Sequence, residues 1–181
     1  MRNPTLSTLL LKTPVDGYNL GEAHKLGALL GDIPVLFIFL RRLGGIFCLA
    51  LIAELKAIKE QYQFFPEVVF IYGGTPEEGA LFFERHWRVA KAIADPNKYL
   101  FYKFEVKKAT YKAYLNPHLF RAYIKLVWKY SEWKKKGTSL PYLTTLFLLR
   151  KDEILWRYTY NHLADIPSQS HLINNLMPFL V

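Results

Sequence analysis

The chain has 181 residues and a single cysteine, Cys48. One thiol excludes an internal disulfide, and with it a small scaffold held by disulfides. It also excludes a zinc site built from two or more thiolates. Long uncharged runs are missing as well. The most apolar region, Pro34 to Ala53, is broken by Arg41-Arg42 and by Gly44-Gly45. A spanning helix needs about 20 mostly uncharged residues, so no transmembrane span is expected. The N-terminal run Leu6 to Leu11 is shorter than a signal-peptide core, and no small-residue cleavage site follows it. The expectation is a cytoplasmic protein. There is no Gly-x-Ser-x-Gly elbow, no dinucleotide fingerprint, no repeat and no low-complexity tract. His24, His86, His118, His162 and His171 lack the i, i+4 spacing of a helical metal pair. No cofactor and no metal are therefore expected.

Acidic residues are scarce in one half. Residues 1–90 carry nine basic and nine acidic side chains, whereas 91–181 carry fifteen and six. The whole net charge of +9 thus belongs to the second half. The stretch 103–136 holds ten Lys/Arg against two Glu, interleaved with Tyr102, Tyr111, Tyr114, Trp128 and Trp133. Such a mixture neutralises phosphates and stacks on bases, so weak polyanion contact is one reading. A solvated helix face is the other.

Aromatic residues are abundant, 29 in all, which excludes disorder as the main state and suits one compact domain. That domain is expected to span 1–181, with 1–30 as an N-terminal extension packing on the sheet. Leu6–Lys12 reads as a short strand or extended lead-in. Pro34–Leu40 and Glu67–Tyr72 read as strands buried on both faces. From Ile46 to Tyr62, the residues Phe47, Leu51, Ile52, Leu55, Ile58 and Tyr62 form one apolar arc of a helix. Thr75-Pro76-Glu77-Glu78 is a capping box that opens a helix running to about Ala92. The preceding Gly73-Gly74 is no phosphate loop, because Glu77 and Glu78 would repel phosphate.

Asp95-Pro96-Asn97 reads as a turn, and Lys98–Lys108 as a region holding a short helix or strand. A helix follows from Asn116-Pro117 to about Lys134. Its apolar side is Phe120, Tyr123, Ile124, Val127, Tyr130 and Trp133, and its basic stripe is Arg121, Lys125 and Lys129. Tyr142–Leu149 and Ile154–Tyr160 form a hairpin, and Ser168–Leu180 closes the chain as a helix. This order gives an α/β fold, a three-layer α/β/α sandwich around a central mixed sheet.

A buried strand runs into Leu40-Arg41-Arg42-Leu43-Gly44-Gly45-Ile46-Phe47-Cys48, where a helix begins. This resembles the strand–CxxC–helix start of the thioredoxin-like fold. More closely, it is similar to the peroxiredoxin-like branch of the alkyl hydroperoxide reductase/thiol-specific antioxidant superfamily. Members often read Arg-His-Phe-Gly-Cys-x-x-Cys-Arg at this point. Ala94-Asp95-Pro96 with Tyr99–Tyr102 resembles the family's Asp-Pro turn before a short helix. Leu140-Pro141, Leu146–Leu149, Ile154 and Ala164-Asp165-Ile166-Pro167 resemble its hairpin and tail. The resemblance spans about residues 30–170. It implies thiol-dependent antioxidant (peroxidase-type) chemistry on a thioredoxin-like domain.

The departures bear on function. Gly45 stands where the family has the first, nucleophilic cysteine, which uses the helix N-terminus to stabilise a thiolate. Arg42 replaces the histidine, and Leu49 replaces the arginine after the second cysteine. The Pro-x-x-x-Thr/Ser-x-x-Cys loop of usual peroxiredoxins is absent from 41–48. Thr144, rather than Pro141, falls where thioredoxins place a cis-proline. Cys48 matches the second cysteine and lies roughly 40° from the centre of the apolar arc, so it is expected to be largely buried and unreactive.

The leading expectation is a degenerate peroxiredoxin-like protein, non-catalytic or redox-attenuated. It would bind a protein partner or thiol substrate at the former CxxC corner, through Arg41, Arg42, Leu43, Gly44, Gly45, Ile46 and an exposed Leu49. The enzyme-class alternative is a one-cysteine peroxidase or oxidoreductase using Cys48, with Arg41 or Arg42 beside its thiolate.

Overall fold

A computed structural model describes residues 4–114, 117–130 and 139–180. Its centre is β2 (Val35–Leu40), in which all six residues are buried. Alternate side chains of a strand point to opposite faces, so β2 feeds two cores. Leu36, Ile38 and Leu40 enter one core, and Val35, Phe37 and Phe39 the other. A fully apolar strand of this kind is stable only when both faces of the sheet are covered.

Six strands line up in the order β1-β4-β3-β2-β5-β6. These are β1 (Gly17–Tyr18), β3 (Glu67–Tyr72), β4 (Lys91–Ala94), β5 (Thr145–Arg150) and β6 (Glu153–Thr159) around β2. β2 pairs parallel with β3, and β3 with β4, through the crossovers α2 (Ile46–Gln61) and α3 (Pro76–His86). β5 joins β2 antiparallel and β6 completes the hairpin. The sheet is mixed and the fold is α/β and thioredoxin-like.

One face is covered by α2, by Phe82, Phe83 and Trp87 at the end of α3, and by Leu172 and Leu176 of α7 (Gln169–Leu176). The other is covered by Leu6, Leu10, Leu26 and Leu29 from the N-terminal segment and by Leu100, Phe101 and Phe104 around α4 (Tyr99–Lys103). Phe39 sits at the middle of this second core. Its ring centroid lies 5.1 Å from Phe101, 5.0 Å from Phe104 and 5.6 Å from Phe147. Truncating such a ring to alanine costs about 3–5 kcal/mol.

Several expectations are corrected. Leu6–Lys12 is no strand: Thr8–Leu11 forms a helical turn, α1, because the Ser7 hydroxyl caps it by accepting from the Leu10 N–H at 3.2 Å. The capping box at Thr75 is present, with Thr75 and Glu78 each bonding the other's backbone, but its helix stops at His86. Residues 87–90 leave the helix, and Lys91–Ala94 form β4, whose first half falls within the helix expected to reach about Ala92. Pairing of Lys91–Ala94 with Val69–Tyr72 outweighs the helical tendency of that alanine-rich stretch. β1 was also missed. Among the described residues, no helix is long and apolar enough to cross a membrane.

The Asp-Pro turn is built around a buried carboxylate. Asp95 accepts from the N–H of Tyr99 at 2.9 Å, Leu100 at 2.8 Å and Phe101 at 3.2 Å. Burial raises its pKa, against the pull of those three donors. Asp95→Ala would orphan three N–H groups at the start of α4, and is expected to lower stability by about 2–4 kcal/mol in chemical denaturation. Asp95→Asn, which keeps an acceptor, is expected to lose about half as much.

Candidate functional site

The corner where β2 ends and α2 begins is shaped by two glycines. Gly44 has φ +71°, the left-handed region, where an L side chain is strained. Gly45 is the N-cap of α2 with φ −72° and ψ 153°, an ordinary extended conformation. A Cβ built at Gly45 meets Arg42 atoms no closer than 3.6 Å, which is normal van der Waals contact. The backbone therefore requires glycine at 44 but not at 45. As it stands, α2 begins with no side-chain cap.

Cys48 lies in the first turn of α2 and is 8% exposed. Burial pushes its thiol up from an ordinary 9.0 to about 12, opposed by a hydrogen bond with the Gly44 backbone. A helix N-terminus normally favours a thiolate. Here desolvation wins, so the thiol is neutral at physiological pH.

A small cavity of about 110 Å³ adjoins it. Arg41, Arg42, Gly45, Ile46, Phe47 and Cys48 line one side, and Tyr123, Thr144 and Leu163 the other. Thr144 therefore shares this cavity with Cys48, in keeping with its expected position beside the helix. The chain contains no cis peptide bond among the described residues, so Pro141 is trans. Arg41 donates from Nη1 to the Ser139 hydroxyl at 3.0 Å, and its carbonyl accepts from the Leu140 N–H at 2.8 Å. The Arg42 Nε is buried without a hydrogen-bond partner among the described residues. So is the hydroxyl of Tyr160, whose proton affinity is raised by burial.

The expected contact surface is only partly accessible. Arg41, Arg42, Gly45, Ile46 and Phe47 are half-buried. Leu43 and Gly44 are buried, with Leu43 in the core under α2. Leu49 is corrected: it is 6% exposed, not an open leucine. The reason is α6 (Pro117–Tyr130), which packs on α2 and covers the side opposite the sheet. The same packing leaves Tyr123 49% and Ile124 47% exposed on a face expected to be apolar and covered. Tyr123 and Leu163 are the cavity residues that the sequence reading missed. Only the position of Tyr123 on the apolar side of its helix pointed that way.

Other candidates fall elsewhere. His162 Nδ1 accepts from the Ala164 N–H at 3.3 Å, and Asp165 accepts from the Asn161 backbone and amide at 2.8 and 3.0 Å. They close the turn after β6. Among the described residues, no three His, Cys, Asp or Glu side chains group as a metal site would need. In the basic stretch, Lys103, Lys107, Lys108, Lys112, Lys125 and Lys129 are exposed. Tyr102 and Tyr111 are 73% and 70% exposed beside them. Lys134–Lys136, Trp133 and the start of the helix at Asn116 lie outside the described residues.

No family model and no curated protein matches the sequence. Solved structures do. A cysteine-to-serine mutant of PrxQ from Xylella fastidiosa superposes with TM-score 0.70 over 99% of this chain and 96% of that one, at 13% identity. The fold is that of the peroxiredoxins. A cysteine-to-serine mutant of peroxiredoxin Q from Xanthomonas campestris gives 0.65 over the full length of both chains at 12% identity. Peroxidoxin BcpB from Mycobacterium tuberculosis gives 0.63 over 97% and 94% at 17% identity. What this chain does with the peroxiredoxin fold depends on its own corner. Measured from Cys48, the peroxiredoxin loop pattern would need a hydroxyl at position 45 and a proline at 41. The chain has Gly45 and Arg41 there.

The buried thiol has a stability signature. A proton affinity raised by folding stabilises the fold fully below the unfolded-state value and is lost as pH rises through the folded one. For Cys48 that window runs from about 9 to about 12. Burial raises Tyr158 to about 12 and Tyr160 well above its ordinary range, so both act in the same direction. Stability is expected to fall steeply above pH about 9, and Cys48→Ala to make that fall shallower. Denaturant midpoints compared between neutral and alkaline pH check this.

Proposed function

We propose that this chain is a redox-attenuated peroxiredoxin-fold protein that works as a binding module at the former thiol corner. The observation that carries this is the pairing of a buried, proton-retaining Cys48 with a glycine at the N-cap, where an added Cβ meets no close contact. The corner keeps the shape of a thiol site without an accessible nucleophile. Its available contact groups are the guanidinium groups of Arg41 and Arg42, with Ile46 and Phe47 as half-buried apolar neighbours. They suit a protein partner, or a thiol-bearing one, seated against the start of α2.

A second reading, a one-cysteine peroxidase, draws on the cavity that Cys48 shares with Arg42, whose Nε has no partner among the described residues. It requires the thiol to become exposed and ionised, and burial opposes both.

The native protein is expected to be silent toward an aromatic disulfide reagent until denatured, and to form no sulfenate when peroxide is added. Rapid native labelling with sulfenate formation would establish the peroxidase reading instead. Gly45→Cys supplies the complementary result. It is expected to fold with unchanged stability within about 0.5 kcal/mol, and to label rapidly at the new, partly exposed thiol. A variant thiol as silent as Cys48 would contradict the idea that glycine at 45 removed the reactivity.

A further inference from the structure

The fold divides the basic stretch of the sequence between two surfaces. α6 packs on α2 and carries Lys125 and Lys129 on that side of the sheet. α4 lies on the opposite face, where Leu100, Phe101 and Phe104 fix it to the second core. Tyr99, Tyr102 and Lys103 stand at i, i+3 and i+4 of α4 and point away from that core. Tyr102 is 73% exposed and Tyr99 39%. The Lys103 ammonium lies 5.5 Å from the Tyr99 ring centroid and 5.9 Å from that of Tyr102. Lys98 precedes the helix and Lys107 follows it, both exposed. Arg157 of β6 joins them from the edge of the sheet: its Nη2 donates to the Glu105 carbonyl at 2.8 Å.

Positive charge goes unmatched on this surface. Residues 98–112 hold five lysines and one acid, Glu105. Among the described residues the ion pairs are Arg88–Glu84, Lys91–Glu67 and Lys151–Asp32, and none includes Arg157 or a lysine of this segment. Asp95, the acid just before it, is buried and accepts from three N–H groups of α4. The platform is also ordered in advance. The Tyr102 N–H donates to the Lys98 carbonyl at 3.0 Å and the Val106 N–H to the Phe101 carbonyl at 3.0 Å, which closes both ends of α4. A ligand that lands on it has little chain to order. The exposed rings of the segment are tyrosines, while the exposed Leu9, Ile33, Phe64, Leu81 and Val89 lie on other segments. A membrane surface calls for apolar side chains that insert, whereas flat rings beside free cations suit bases joined by phosphates.

We propose that the α4 surface binds single-stranded nucleic acid. Bases stack on Tyr102 and Tyr99, and Lys98, Lys103, Lys107 and Arg157 contact the phosphates. Little sequence preference follows, because every base offers a π-face. The surface lies across the sheet from α2 and Cys48, so it does not rest on the reading given above.

The test is fluorescence anisotropy of a labelled oligothymidylate of about 15 nucleotides, near the upper site size of such surfaces. Binding is expected to weaken with salt at a log–log slope of about −2 to −3, the value for three or four phosphate contacts to a single strand. A duplex of the same length, whose bases are already stacked, is expected to bind at least about fivefold more weakly. Tyr102→Ala is expected to weaken binding about fivefold or more, and Tyr102→Phe, which keeps the ring, to stay within about twofold of the native protein. Lys103→Gln with Lys107→Gln is expected to flatten the salt slope by about 1.4, while Lys125→Gln with Lys129→Gln on α6 leaves it unchanged. All these side chains are exposed, and circular dichroism checks that each variant keeps the fold. Native affinity in Tyr102→Ala, or equal affinity for the duplex, would overturn the proposal. So would equal losses from the α4 and α6 lysine pairs, absence of binding at low salt, or tighter binding to phosphatidylserine vesicles than to the oligonucleotide.

Discussion

The two-sided burial of β2 governs the rest of the molecule. Six apolar residues in a row leave no face for water, so β3 and β5 must flank the strand and helices must cover both sides. The same constraint fixes where the chain emerges. β2 ends at Leu40, the chain turns at Gly44, and α2 must start at once to lay its apolar arc over Leu36, Ile38 and Leu40. Cys48 is carried under that arc by the geometry of the first turn. Its burial is thus a consequence of the core, and its high proton affinity follows from burial.

This arrangement separates two roles that one helix start can serve. A thiol at the N-cap would be partly exposed and would feel the helix dipole. A thiol three residues later, in this chain, is desolvated instead. Position 45 has no conformational need for glycine, since its φ is ordinary and an added Cβ meets no close contact. Gly44 is the conformational one, and it shapes the turn that brings Arg41 and Arg42 to the edge of the cavity.

Much of this was legible in the sequence because local signals were strong. Glu67–Tyr72 reads as a strand from its continuous apolar run, the Thr75 capping box announces its helix start, and Asp95-Pro96 announces its turn. The burial of Cys48 followed from helical periodicity alone. What escaped was set by distant packing. Leu49 lies off the apolar arc and is buried only because α6 lies across α2. β4 is a strand because β3 offers it an edge, while its own Ala-Lys-Ala-Ile-Ala composition favours a helix.

The central claim is that Cys48 keeps its proton because the fold desolvates it. Following the Cβ resonance of Cys48 by NMR as pH is raised tests this directly in the folded protein. The account predicts no titration of the thiol below pH about 10. A midpoint near 6 or 7, well under that of an ordinary thiol, would contradict it and would make Cys48 an activated nucleophile.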